Sequence, residues 1–93
     1  TLLDIEENAF EGCEKIEEIT IPKNVQTIKK YAFLGCKELT KVKNLSNHIK
    51  VHNKAFSYLP KLKIVESVET KDDSFFYSEK FYCCPKTLHR HHI

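Results

Sequence analysis

Residues that could bind a metal are concentrated near the C-terminus of this chain. Two adjacent thiols, Cys83 and Cys84, are followed by three imidazoles, His89, His91 and His92. Thiolates and imidazoles are common zinc ligands, and the gap between Cys84 and His89 leaves room for one ion. Adjacent cysteines point in different directions, however, and there is no Cys-x-x-Cys pair. A small zinc-binding module is therefore an alternative hypothesis, a flexible tail is the competing interpretation, and our main hypothesis has no metal and no cofactor.

The sequence offers little for catalysis. A nucleophilic Cys or Ser needs a general base beside it that a third group orients, and no such set of residues is recognisable. A phosphate-binding loop needs clustered glycines, whereas the only glycines, Gly12 and Gly35, are far apart in the chain. We predict that the chain is not an enzyme.

The interval between the two glycines is a 23-residue period that relates many other positions as well. A period of about 20 to 30 residues is typical of a solenoid, in which each unit buries its apolar face only against its neighbours. The first unit contributes Ile5, Ala9, Phe10, Gly12, Cys13, Ile16 and Ile19; the second Ile28, Ala32, Phe33, Gly35, Cys36, Leu39 and Val42; and the third Val51, Ala55, Phe56, Tyr58, Leu59, Leu62 and Val65.

Comparing the units shows what each position requires. Leu59 replaces Cys13 and Cys36, so this position needs an apolar group rather than a thiol. Tyr58 replaces Gly12 and Gly35. Because side chains other than glycine rarely adopt the left-handed conformation, we expect the third turn to be built differently from the first two.

Short β-strands are predicted within residues 16–22, 39–45 and 62–68. In the first stretch apolar residues alternate at 19 and 21 among β-branched side chains, and the other two are its equivalents in the following units. Stacked side by side, they would form a short parallel sheet. The Ala-Phe segment at residues 9–13 is too short for a stable helix and predicts a tight helical turn or a loop.

Acidic and basic residues are concentrated in different units of the repeat. Residues 1–22 carry seven acids and one lysine, whereas residues 23–63 carry ten lysines and one acid. In a 23-residue register, five positions of opposite sign face each other between the first two units: Glu6 with Lys29, Glu7 with Lys30, Glu14 with Lys37, Lys15 with Glu38, and Glu18 with Lys41. A further one places Glu38 opposite Lys61. Such pairs favour this register over slipped ones.

The period fails after Val68. A polar segment, 69–74, precedes Phe75-Phe76-Tyr77 and Phe81, and Phe81 lies two positions beyond the place where a 23-residue shift from Phe56 would put it. We divide the chain into a solenoid at 1–68, with about three units of which the first is partial, and a divergent fourth unit or cap at 69–93 with a flexible tail. The partial first unit and the absence of Met lead us to expect a piece of a longer array.

The unit Ile-x-x-x-Ala-Phe-x-Gly-Cys-x-x-Leu-x-x-Ile-x-Ile-Pro-x-x-Val resembles the BspA-like leucine-rich repeat, a 23-residue type. Residues 5–42 carry the motif strongly, 51–65 more weakly, and 75–93 hardly at all. The resemblance implies an α/β leucine-rich-repeat solenoid with a parallel sheet on the concave face and short helical turns or loops opposite. It also implies a cell-surface or secreted adhesion module, and it supplies no catalytic residues.

Our leading hypothesis is a fragment that recognises a protein or a glycan through its concave strand residues. A purely architectural spacer that stacks on further repeats is the alternative. Nucleic acid is a less favoured partner because the chain has one arginine, and no apolar run is long enough to insert into a membrane. The candidate binding residues are Glu17, Glu18, Thr20, Thr40, Lys41, Lys43, Lys63 and Glu66.

Overall fold

The computed structural model describes residues 1–70, 75 and 80–93. These residues form seven short β-strands. The strands are β1 (Leu3–Ile5), β2 (Glu18–Ile21), β3 (Val25–Ile28), β4 (Lys41–Asn44), β5 (Lys50–Val51), β6 (Ile64–Ser67) and β7 (His89–His92). The three strands predicted from the sequence correspond to β2, β4 and β6 and are confirmed.

The chain winds into a solenoid with two parallel sheets. One sheet has the order β1-β3-β5 and the other β2-β4-β6-β7, so most coils of the solenoid contribute one strand to each. In the larger sheet Val42 pairs with Ile19 on one side and with Val65 on the other, a shift of one repeat each time. The three-stranded sheet was not predicted, since β3 buries Val25 and Ile28 at a spacing of three residues rather than in the two-residue alternation of a strand, and β5 has only two residues.

The helical turns and the α/β class that the resemblance implied are not confirmed, because the described segments between strands are turns with almost no helix. The backbone N–H groups explain this. Ala9 and Glu11 donate to carbonyls three residues earlier, whereas Phe10 and Gly12 donate to Ala32 (2.7 Å) and Leu34 (2.8 Å) of the next coil. Beyond its first turn an α-helix uses each N–H within its own segment, whereas these turns give alternate N–H groups to the next coil, so stacking of the turns replaces helix formation.

The expectation of a differently built third turn is wrong. Gly12, Gly35 and Tyr58 all have left-handed backbones, with φ of 68°, 69° and 57°. Gly35 and Tyr58 also donate equivalent hydrogen bonds to the following coil, 2.9 Å each. The next coil dictates this geometry, and Tyr58 adopts it at a cost of about 1–2 kcal/mol.

A column of stacked phenylalanine rings runs through the interior. Phe33 lies between Phe10 and Phe56 with ring centroids 5.1 and 5.0 Å apart and planes nearly parallel. Phe81 continues the column at 5.0 Å from Phe56, and Phe75 packs edge-on against both. The rings therefore repeat at about the spacing of adjacent parallel strands.

Residues 80–93 form a fourth coil. Its strand β7 pairs with β6 at an interval of 25 residues, two more than the 23-residue period. Ile64 pairs with His89 and Glu66 with His91. The Sγ of Cys84 faces the carbonyl of Phe56 at 3.4 Å, as that of Cys36 faces Phe10 at 3.1 Å. Phe76, Tyr77 and part of the predicted loop at 69–74 lie outside the described residues, and the boundary at residue 68 stays a prediction.

A polar pair occupies the interior where the second and third units lack the Ile-Pro of the first. Asn44 and Ser67 are fully buried. The Nδ2 of Asn44 donates to Ser67 Oγ (3.0 Å) and to the Ser46 carbonyl (2.9 Å), while its Oδ1 accepts from the Ser46 N–H (3.0 Å). Asn44 begins an Asn-x-Ser sequon, but its amide is enclosed by the folded chain and cannot carry a glycan there.

Some of the predicted charge pairs form. Lys29 Nζ lies 2.9 Å from Glu6 Oε1, and Lys61 Nζ lies 2.9 Å from Glu38 Oε1. The contact with Glu6 raises the pKa of Lys29. Within the part of the chain that the structure describes, the other predicted columns make no ion pairs of their own.

The phenylalanine column predicts a position-dependent cost of truncation. Phe33→Ala removes a buried ring with neighbours on both sides and should lower the free energy of unfolding by about 3–5 kcal/mol. Phe10→Ala removes a ring that is 37% exposed and should cost less than half as much. Urea unfolding of both variants measures the difference, and equal costs would contradict a continuous ring stack.

Candidate recognition surface

Alternate residues of the four-stranded sheet point away from the interior. Val42 and Asn44 of β4, and Val65 and Ser67 of β6, are buried. Their neighbours occupy the other side, since strand side chains alternate. We call this side the outer face. By strand register it consists of the column Glu18–Lys41–Ile64–His89 and the column Thr20–Lys43–Glu66–His91.

Five of the eight predicted binding residues lie on the outer face: Glu18, Thr20, Lys41, Lys43 and Glu66. Glu17, Thr40 and Lys63 directly precede the strands, where their backbones join the coils. The carbonyl of Glu17 accepts from the Thr40 N–H at 2.8 Å and from its hydroxyl at 3.1 Å, and the Thr40 carbonyl accepts from the Lys63 N–H at 2.9 Å.

Three residues of the outer face were missed from the sequence. Ile64 follows from the alternation of β6 and could have been included. His89 and His91 could not be placed by a strict 23-residue shift, because the fourth coil is offset by two further residues. The sheet thus gains a fourth strand whose imidazoles extend both columns.

Glu66 connects three strands of the outer face. One carboxylate oxygen lies 3.1 Å from Lys41 Nζ of β4, and the other lies 2.8 Å from His91 Nε2 of β7. The hydrogen bond from His91, followed by that from Lys41, lowers the pKa of the Glu66 carboxyl. The predicted register of Glu18 opposite Lys41 is confirmed, but the ammonium of Lys41 contacts Glu66 rather than Glu18.

The five zinc candidates do not converge. His89 and His91 share the outer face, whereas His92 lies on the opposite side of the same strand by alternation. Cys83 is exposed, and Cys84 packs against the interior, where burial raises the pKa of its thiol to about 11. Zinc binds the thiolate form. Among the described residues, no group of three or more metal-binding side chains is arranged to hold an ion.

The other cysteines serve packing. Cys36 is completely buried in the column that contains Cys13 and Leu59, and burial raises the pKa of its thiol. A raised pKa suppresses thiolate chemistry.

The described part of the chain contains no helix that is long and apolar enough to cross a bilayer.

Comparison with known proteins gives one family match. A family model described as "BspA type Leucine rich repeat region (6 copies)" matches residues 1–87. No curated protein and no solved structure matches the chain significantly.

The contacts of Glu66 predict a specific pH dependence of stability. Because folding lowers the pKa of Glu66, its ionised carboxylate stabilises the folded state. This stabilisation is fully present above the unfolded-state pKa of about 4.3 and is lost as the pH falls through the folded-state pKa. Between pH 7 and pH 3 the urea midpoint of the wild type should therefore fall further than that of Glu66→Gln. An identical fall in both proteins would show that the contacts with Lys41 and His91 are not maintained in solution.

Proposed function

The chain belongs to the BspA-type leucine-rich repeat family, and on this basis we propose that it is a non-enzymatic module that recognises a protein or a glycan through its outer face. Repeat solenoids use the surface that their stacked units share as a binding surface. The proposal extends to the setting: a longer surface or secreted adhesion-type protein with further repeats of this kind.

One observation carries the proposal: the outer face presents functional groups that the core does not need. Its two columns contain an exposed glutamate, lysines, a threonine and two histidines on a sheet that fixes their spacing. The apolar contacts of the same strands are made by the other side chains, such as Val42 and Val65. Charged and polar groups held on rigid strands are suited to selective recognition.

The chemistry of this surface favours a ligand with both polar and apolar groups. Ile64 lies between Lys41 and His89 in the first column and is partly exposed. Lys43 lies next to Glu66, whose carboxylate is occupied by Lys41 and His91. The other polar groups of the outer face, Glu18, Thr20, Lys43 and His89, are therefore the ones proposed to contact a ligand, beside an apolar patch at Ile64.

A second function, as an architectural spacer, is favoured by a different observation. In the first coil Leu3 is 48% exposed and Phe10 is 37% exposed. Phe33, which occupies the position of Phe10 in the second coil, is only 1% exposed. An apolar coil end of this kind is suited to stacking against another repeat. In this role the chain would extend a longer solenoid without binding the ligand itself.

The two functions are separated by truncating the outer face. We would screen the wild type against arrayed glycans and purified extracellular proteins, and then measure each ligand found with Lys43→Ala/His89→Ala. If the outer face binds the ligand, this variant should bind it about tenfold more weakly, since central interface residues often contribute more than about 1 kcal/mol each. The thermal midpoint should change little, because both side chains lie outside the core.

Lys23→Ala/His48→Ala is the matched control. It removes the same two residue types from exposed positions away from the sheet and should retain affinity. Equal weakening in both variants would indicate a general charge effect. Ligand binding that survives the outer-face substitutions would refute the recognition surface and favour the architectural role.

A further inference from the structure

A basic groove lies beside the strand β5, separate from the outer face. It is open to solvent and has a volume of about 520 Å³, within the usual range of ligand sites. The floor includes Val51, and the polar lining consists of Lys30, Lys50, His52, Asn53, Lys54 and Lys80. None of these residues belongs to the recognition surface described above.

Coil stacking brings four lysines together in this groove. Lys30 follows β3, Lys50 belongs to β5, Lys54 follows β5, and Lys80 enters the fourth coil, so lysines from three coils line one groove. Of the groove lining that the structure describes, no member is acidic. Clustered charge of one sign in a concave surface attracts ligands of the opposite sign, and we propose that this groove binds a sulfated polysaccharide.

The backbone at Lys54 follows the repeat. Lys54 has a left-handed backbone, φ 64°, at the position that Asn8 and Tyr31 occupy in the two preceding coils with φ of 61° and 60°. Asparagine adopts this conformation more readily than lysine. Stacking of the coils fixes this backbone and places Lys54 in the groove lining, so asparagine at this position would suit the backbone while removing the charge.

The same lysine lies beside an exposed aromatic ring. Lys54 Nζ is 4.7 Å from the centroid of Tyr82, and Tyr82 is 41% exposed. The ring contacts Tyr58 edge-on at 5.6 Å, which fixes its orientation. Tyr82 lies outside the groove lining, and its ring holds the Lys54 ammonium group at the edge of the groove.

The groove presents point charges on several coils rather than a bidentate anion clamp. Lysine presents a compact point charge, whereas arginine provides the planar fork that suits bidentate phosphate contacts. The described lining of the groove contains lysines and His52 but no arginine. A polysaccharide with sulfate groups on successive sugars matches point charges distributed over several coils.

Isothermal titration calorimetry with a heparin-derived hexasaccharide tests the proposal. Lys50→Gln/Lys54→Gln should bind about tenfold more weakly than the wild type, with a shallower dependence on salt because fewer ionic contacts release counterions. The control Lys15→Gln/Lys23→Gln makes the same change in net charge at exposed lysines outside the groove and should lose less than twofold.

Two further variants separate binding from folding. Lys54→Asn removes the ammonium group but suits the left-handed backbone, so it should weaken hexasaccharide binding without lowering the thermal midpoint. Lys54→Arg keeps the charge and should retain most of the affinity. If the loss of hexasaccharide binding by Lys54→Asn is fully explained by the fraction of the variant that is unfolded, the assignment is overturned.

The identity of the ligand is tested separately. The desulfated, N-acetylated form of the same hexasaccharide should not bind measurably. Equal affinity for the desulfated sugar, tighter binding of a DNA duplex of equal charge, or equal losses in the groove and control variants would each overturn the proposal.

Discussion

The structure depends on the hydrogen bonding of each coil to the next at one fixed spacing. Parallel strands lie about 4.8 Å apart, and every coil must bring chemically compatible groups into contact with its neighbours at that distance. The ring centroids of Phe10, Phe33 and Phe56 follow this interval at 5.0–5.1 Å. The turns obey it as well, since alternate N–H groups such as Phe33 and Gly35 donate to the following coil.

Because of this constraint, equivalent residues of successive coils stack in columns along the solenoid, and each column must be compatible along its whole length. Inside, a column is satisfied by stacked rings, by aliphatic side chains such as Val42 and Val65, or by a hydrogen-bonded polar pair such as Asn44 with Ser67. On the surface, columns of opposite charge stabilise the register modestly. The same geometry creates functional surfaces, because residues far apart in the chain, such as Lys41 and His91, contact one carboxylate.

The repeat period predicted the strands β2, β4 and β6, the buried Ala-Phe columns and five residues of the outer face, because interior positions leave an apolar signal at fixed intervals. Other features had no such signal. The second sheet was missed because β3 buries residues three apart instead of two and β5 has only two residues. The third turn was misjudged because hydrogen bonding to the next coil overrides the usual preference of a tyrosine for negative φ. The basic groove depends on side chains from three coils, and its location requires the register of the fourth coil.

The most direct test of the stacking register is a set of NMR nuclear Overhauser contacts between backbone protons of neighbouring strands. We predict parallel contacts from Ile19 to Val42 and from Val42 to Val65, each separated by one 23-residue period, and from Val65 to Arg90, an interval longer by two residues. The change of interval at the last strand is the most diagnostic feature. Contacts at other intervals, or a β7 strand without contacts to β6, would contradict this register.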